Sequence, residues 1–275
     1  MKRILVTGSS GYIGGHLVQL LQKTTDFEIH GLDRRTPEHV APHKLHQIDI
    51  RYLRSDLMPE FDTVIHLAGS VNVGASVRDP WKYYQTNIVG THNVLDLQSK
   101  NFILASTGAA AGMASPYGIS KRAAEDVVRQ VCQERERAYT IFRFYNVIGS
   151  DGIPPTNPDG LMMNLIKARD TGEFYLNGND YQTRDGTCLR DYVHVNEICY
   201  ALLKAIHVPA NGLENLGHGT GYTVSEMIDA FKRVNHCDFT TVVRPRRSGD
   251  LETSVLDNPS EYLERRYTLE QLLKI

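Results

Sequence analysis

The chain is expected to be an α/β protein, with a doubly wound parallel sheet followed by a smaller α/β lobe. Three observations carry this expectation. Short apolar β-type runs alternate with helix-length amphipathic segments, a glycine-rich turn joins the first run to the first helix, and an acid, Asp33, closes the second run. Strands that alternate with helices are joined by crossovers, and such strands lie parallel and are covered on both faces.

Arg3 to Val6 is the first strand. Tyr12 to Lys23 is the first helix, with Ile13, Leu17, Leu20 and Leu21 at helical spacing. Glu28 to Leu32 is the second strand. Further strands are expected at Thr63 to Leu67, Asn101 to Ala105 and Tyr139 to Phe144, with helices over Trp81 to Lys100 and Tyr117 to Glu136. Residues 149–160 are rich in proline and glycine and mark a loop. Beyond it, helices near 161–171, 196–207 and 223–235 interleave with brief strands. The expected domains are 1–147 and 148–275, with a strand near 190–195 returning to the first.

A chain of 275 residues, 41% of them hydrophobic, can bury a substantial core. Its net charge of −2 provides no basic field for nucleic acid or an anionic membrane. The four cysteines form no C-x-x-C pair, which points to reduced thiols in the cytoplasm. The apolar run after Met1-Lys2-Arg3 is too short for a membrane span or signal core. The histidines are dispersed, without metal-ligand spacing.

Gly8, Gly11 and Gly14 sit between the first strand and the first helix. Glycines there turn the chain tightly and let the backbone and the helix N-terminus, including Tyr12 and Ile13, approach a pyrophosphate. Asp33 follows about twenty residues on, where an acid accepts hydrogen bonds from ribose hydroxyls and repels a 2′-phosphate. NAD is therefore expected over NADP, although Arg34 and Arg35 stand next to that acid.

Tyr117 and Lys121 are four residues apart at the start of a helix, on one face. A tyrosine with a pKa of about 10 is a poor base at neutral pH. Lys121 and an oxidised nicotinamide are the two cations that can favour the phenolate. Tyr117 then removes a hydroxyl proton while the nicotinamide accepts a hydride from the same carbon.

With Gly8-x-x-Gly11-x-x-Gly14 and Tyr117-x-x-x-Lys121, the chain resembles the extended short-chain dehydrogenase/reductases, with a Rossmann-type first domain and a substrate-binding second lobe. The stretches His66-Leu67-Ala68-Gly69, Asn87-Ile88-Val89-Gly90-Thr91, Arg143-Phe144-Tyr145-Asn146, Gly178-Asn179-Asp180-Tyr181, Arg190-Asp191-Tyr192-Val193-His194-Val195 and Arg246-Arg247-Ser248-Gly249-Asp250-Leu251 are similar to those of the UDP-hexose 4-epimerases in that family. The resemblance implies that Thr107 joins Tyr117 and Lys121 in catalysis. Leu67, Ala68 and Gly69 would bind the cofactor, Asn87 and Phe144 would line its nicotinamide side, and Asp49 and Ile50 the adenine. Asn146, Arg190 and Arg247 would hold the substrate diphosphate, and Asp250 the uridine ribose. Arginine suits a diphosphate because its planar fork matches the oxygens. It further implies a cytoplasmic homodimer paired through the helices at 81–100 and 117–136, with Ile88, Leu95, Val127 and Val131 as candidates for the seam.

The resemblance leaves several reactions open. A dehydratase needs carboxylates beside Thr107, where the chain has Gly108-Ala109-Ala110-Ala111. A reductase or dehydrogenase exchanges cofactor at every turnover, and Val71 stands where the epimerases often carry a cofactor-reaching lysine. A dinucleotide-sensing protein would have no need of the tyrosine–lysine pair. The expected reaction is interconversion of UDP-glucose and UDP-galactose through a 4-keto sugar. Ser254 leaves room for the N-acetyl-hexosamine pair as well, since relatives restricted to simple hexoses tend to have a tyrosine there.

Overall fold

The computed structural model describes residues 1–247 and 250–275. Ser248 and Gly249 of the quoted arginine motif lie outside the described residues. The chain forms two compact units, 1–144 with 198–215, and 145–197 with 216–275.

The first unit begins with β1 (Arg3–Thr7), α1 (Tyr12–Thr24), β2 (Glu28–Asp33), β3 (Lys44–Gln47) and β4 (Phe61–His66). Three short helices follow, α2 (Val73–Arg78), α3 (Pro80–Tyr84) and α4 (Gly90–Leu95), with a π-helical turn over Gln85–Val89 joining α3 to α4. Then come β5 (Ser99–Thr107), the four-residue α5 (Ala109–Gly112), α6 (Pro116–Glu134) and β6 (Ala138–Phe144). The second unit starts with β7 (Asn146–Ile148), α7 (Leu161–Thr171), β8 (Glu173–Asn177) and β9 (Leu189–His194). Through α8 (Val195–His207) the chain returns to the first unit and adds β10 (Gly212–Leu216). It ends with β11 (Gly221–Thr223), α9 (Val224–Val234), β12 (Thr240–Arg244), β13 (Thr253–Ser254) and α10 (Leu269–Leu273).

The main sheet has the order β10-β6-β5-β4-β1-β2-β3, and every pair from β6 to β3 is parallel. That is the doubly wound order, whose crevice opens beyond the carboxyl ends of β1 and β4, where the order reverses. Its strands are apolar throughout because both faces are covered. Ile4, Leu5, Val6, Val64, Ile65, Phe102, Ile103 and Leu104 are fully buried. On α1, Leu17, Val18 and Leu21 form the buried stripe. The second unit carries a smaller sheet, with β9 between β11 and β13 and β7 also paired to β9, and a separate β8–β12 pair.

Three expectations are corrected. The helix expected over Trp81 to Lys100 is interrupted by the π turn and stops at Leu95; Ser99 and Lys100 already belong to β5. The strand near 190–195 does not return to the main sheet. It is β9, the centre of the second unit's sheet, and the segment that returns is 198–215. Leu95, expected on an intersubunit seam, is buried in its own chain's core, and Val127 and Val131 pack against the same cluster.

The helix carrying the candidate tyrosine starts where local chemistry puts it. Ser115 caps it by accepting from Gly118 N at 3.1 Å, and Pro116 takes the first turn, where its missing N–H does no harm. Gly118 is required by close approach, since a Cβ there would lie 2.6 Å from Ala109 O.

Candidate active site

Gly8 has φ +72°, and a Cβ on it would meet Ala68 N at 2.8 Å. A Cβ on Gly14 would lie 2.1 Å from Gly8 O. Gly11, at the helix N-cap, offers no capping side chain, and the first turn of α1, which includes Tyr12, Ile13 and Gly14, carries no acid. Such a helix start is suited to an anion. At the end of β2 the Asp33 carboxylate accepts from Ser10 N at 3.1 Å and Arg35 N at 3.0 Å, which holds it beside the glycine turn. This cradle of bare backbone, an open helix start and an acid fits a dinucleotide.

Asp49 and Ile50 part company. Asp49 accepts from Arg51 N and forms a two-pronged pair with the Arg51 guanidinium, which holds its carboxyl below the usual range. The Ile50 side chain, expected against the adenine, lies in the core, because Gly90 opens a space that a Cβ would fill at 2.6 Å from Ile50 Cδ1. The sequence alone does not separate a ligand-facing isoleucine from a core one.

Buried polar groups, of which the sequence singled out Asn87 but not its partners, fasten the far side of the crevice. Thr91 donates its hydroxyl proton to Asn87 O at 2.6 Å, so its contact with His66 Nε2 at 3.0 Å must be donated by the imidazole. His66 Nδ1 then accepts from Thr7 Oγ1 at 2.7 Å, and Thr7 Oγ1 accepts from Ala68 N at 3.1 Å. Burial, assisted by the Lys121 charge, pushes His66 down to about 3 and holds it neutral. Asn87 accepts from Ser70 N at 2.8 Å and donates to Ser70 O at 3.0 Å and Ser120 Oγ at 2.9 Å. Leu67, Ala68 and Gly69 thus leave β4 on a fixed course, with Gly69 facing Asn87 Oδ1 and Lys121 Nζ.

Thr107 ends β5 opposite Phe144 of β6, and its side chain acts to lower the Tyr117 pKa. Tyr117 and Lys121 are both buried, on one face of α6, and Tyr83 meets the Tyr117 ring edge-on at 6.2 Å. The electrostatics differ from expectation. Burial raises Tyr117 to about 12 against the lowering effect of Thr107, and the Lys121 charge helps to hold His66 down. Lys121 itself is brought down to about 8 by burial, with Glu125 opposing. Taking a phenol from about 12 to neutrality requires about 7 kcal/mol, more than the roughly 4 kcal/mol that one cation at 4 Å supplies at an effective dielectric near 20. Without ligand, Tyr117 is a neutral phenol.

The candidate substrate residues lie in the second unit. Asn146 on β7 donates to Asp191 O at 3.0 Å. Arg190 on β9 directs its guanidinium to the carbonyls of Leu189, Leu251 and Glu252, and its register partner on β13 is Ser254. Among the described residues neither Arg190 nor Arg247 forms an ion pair with a carboxylate. With the Asn177 amide turned to present its oxygen, Arg247 Nε and Nη2 both donate to it at 3.1 Å. Asp250 is exposed, and its N–H donates to Arg247 O at 3.2 Å.

The sheet order, the glycine cradle and the Thr107–Tyr117–Lys121 group define a dinucleotide-dependent enzyme of the extended short-chain dehydrogenase/reductase class. The chain belongs to the NAD dependent epimerase/dehydratase family, which residues 4–217 match. It is 34% identical to the UDP-glucose 4-epimerase of Erwinia amylovora, over 90% of this chain and 87% of that one. Among solved structures it is similar to the Brucella ovis UDP-glucose 4-epimerase in complex with NAD (TM-score 0.90, 27% identity, 99% of this chain and 96% of that chain). It is also similar to the UDP-Glc/GlcNAc 4-epimerase of Campylobacter jejuni (TM-score 0.82, 28% identity, 100% of this chain and 97% of that chain).

Proposed function

We propose that this protein is an NAD-dependent UDP-hexose 4-epimerase that interconverts UDP-glucose and UDP-galactose through a 4-keto sugar. The observation that carries the reading is the buried Tyr117 with Lys121 one turn further along the same helix, beside Thr107 at the end of β5. The turn of Gly8, Gly11 and Gly14, with Tyr12 and Ile13, holds the pyrophosphate, and Asp33 the adenosine ribose. Asp49 and Ile50 flank the adenine, Leu67, Ala68 and Gly69 meet the cofactor, and Asn87 and Phe144 line the nicotinamide. NAD held there would supply a hydride acceptor and donor for C4 and, on its ring, the positive charge that Tyr117 lacks in the ligand-free site. Thr107 orients the C4 hydroxyl, and the Tyr117 oxygen takes its proton and later gives it back. Residues 108–111 offer no carboxylate for dehydration.

Asn146, Arg190 and Arg247 hold the substrate diphosphate, Asp250 the uridine ribose, and Ser254 leaves room for a 2-acetamido group. The Campylobacter jejuni relative, described as a UDP-Glc/GlcNAc 4-epimerase, supports that last assignment. The protein acts in the cytoplasm as a homodimer. Support for this comes from four free cysteines, from the absence among the described residues of any helix long and apolar enough to cross a membrane, and from the exposed Trp81, Val89 and Ile119 on the segments expected to pair. Incubating the purified protein with UDP-galactose and no added cofactor tests the activity. UDP-glucose should appear, whereas stoichiometric oxidation of the sugar would identify a dehydrogenase instead.

A further inference from the structure

Glu125 is fully buried, one turn beyond Lys121 and two beyond Tyr117 on α6. Its Oε1 accepts from Ser106 Oγ at 2.5 Å and from Arg143 Nε at 2.8 Å, and its Oε2 accepts from Arg143 Nη2 at 2.6 Å. Ser106 and Arg143 are register partners on β5 and β6, each one residue before the pair Thr107 and Phe144 that borders the site. A single carboxylate thus ties the helix bearing Tyr117 and Lys121 to the two strand ends that meet it. A buried ion pair is weak evidence for stability, because well-packed apolar side chains often do as well. Its placement beneath the catalytic group calls for another explanation.

We propose that Glu125 is a positioning residue for the reaction: it supplies a buried negative charge one turn from Lys121 while fixing α6 against the strand that carries Thr107. Among the described residues, the groups around Lys121 leave this role to Glu125. On α6 the neighbours are Tyr117, a neutral phenol, and Glu125; from β4 comes His66, held neutral; from the π turn comes Asn87, which has no charge. Arg143 on β6 is engaged by Glu125 itself. Burial has already brought Lys121 down to about 8, and Glu125 is the charge that opposes it. A further drop of about one unit would leave roughly half of the Lys121 side chains uncharged at pH 7.

The inference rests on the epimerase reading only in its kinetic arm. The direct test follows the pH titration of Lys121 by NMR in protein labelled with [13C]lysine, its signal assigned by loss in Lys121→Met. Glu125→Gln should lower the midpoint by about one pH unit. The alkaline limb of kcat should move down by the same amount, and Glu125→Asp should restore much of the wild-type profile. A purely structural role would lower kcat or the unfolding temperature without moving either midpoint. If Glu125→Gln does not fold, the paired change Glu125→Leu with Arg143→Leu removes both buried charges and should also lower the midpoint. A Lys121 midpoint within about 0.2 units of wild type in the variant that folds overturns the proposal. That result can be read even if the protein does not epimerise UDP-galactose.

Discussion

Asn87 donates to Ser120 Oγ at 2.9 Å, a bond that fastens the π turn to the helix carrying Tyr117 and Lys121. Two more bonds from the same amide hold Ser70, so one buried side chain sets the spacing between the glycine-bearing exit of β4 and the catalytic helix. Asn87→Ala would leave these partners unsatisfied at a loss of about 1–3 kcal/mol. Urea unfolding should show that loss, and calorimetry should show NAD binding weakened by about tenfold. Unchanged NAD affinity would mean that the amide only supports the fold.

Asp33 is held beside the glycine turn by two backbone N–H groups, with Arg35 Nε 4.0 Å away. Asp33→Ala should weaken NAD and improve NADP relative to it, because removing the acid frees Arg35 to meet a 2′-phosphate. Titrations of both cofactors decide this; wild-type protein that prefers NADP contradicts the assignment.

His66 makes stability depend on pH in the acid range. Its folded pKa of about 3 lies below the ordinary 6.5, so between these values the unfolded chain binds a proton that the native protein does not. The contribution of His66 is fully present above pH 6.5 and is lost as pH falls towards 3, at up to about 1.4 kcal/mol per pH unit. Denaturant unfolding at pH 7 and pH 5 should show the fall, and His66→Asn should flatten it. An equal slope in both proteins would assign the acid sensitivity to other groups.

Ser254 faces Arg190 across the β9–β13 pair. Ser254→Tyr should suppress epimerisation of UDP-N-acetylglucosamine selectively, since overpacking commonly costs about 1–3 kcal/mol, about a ten- to hundredfold loss. Product ratios for the two sugars test this. Equal loss with UDP-glucose, or no wild-type activity on the acetamido sugar, contradicts the steric account.

What could be read in the sequence was local. Gly8, Gly14 and Asp33 are legible because a tight turn and a strand-end acid are written in consecutive residues, and Tyr117 and Lys121 because a helix brings every fourth residue to one face. The break at Gln85–Val89 left no mark, since a π turn inserts no proline and leaves the apolar pattern running. The place of β9 depends on pairing with β7, β11 and β13, which are distant in the chain, and its own pattern does not name its neighbours. The core pocket of the Ile50 side chain is made by Gly90, forty residues on, and has no local mark. The electrostatics of Tyr117 follow from burial, which becomes visible only in three dimensions. Glu125 did carry a signal, since Tyr117, Lys121 and Glu125 repeat at intervals of four, but its partners Ser106 and Arg143 appear only once the strands are paired.

The central claim is that C4 is oxidised and reduced again within one active site, with Tyr117 carrying the proton. Its most direct test is UDP-galactose deuterated at C4, incubated with the purified protein without added cofactor and followed by NMR. The prediction is UDP-glucose that retains the deuterium at C4, with turnover abolished in Tyr117→Phe while NAD stays bound. Product that has lost its deuterium to solvent, or a Tyr117→Phe variant with near-wild-type turnover, would contradict it.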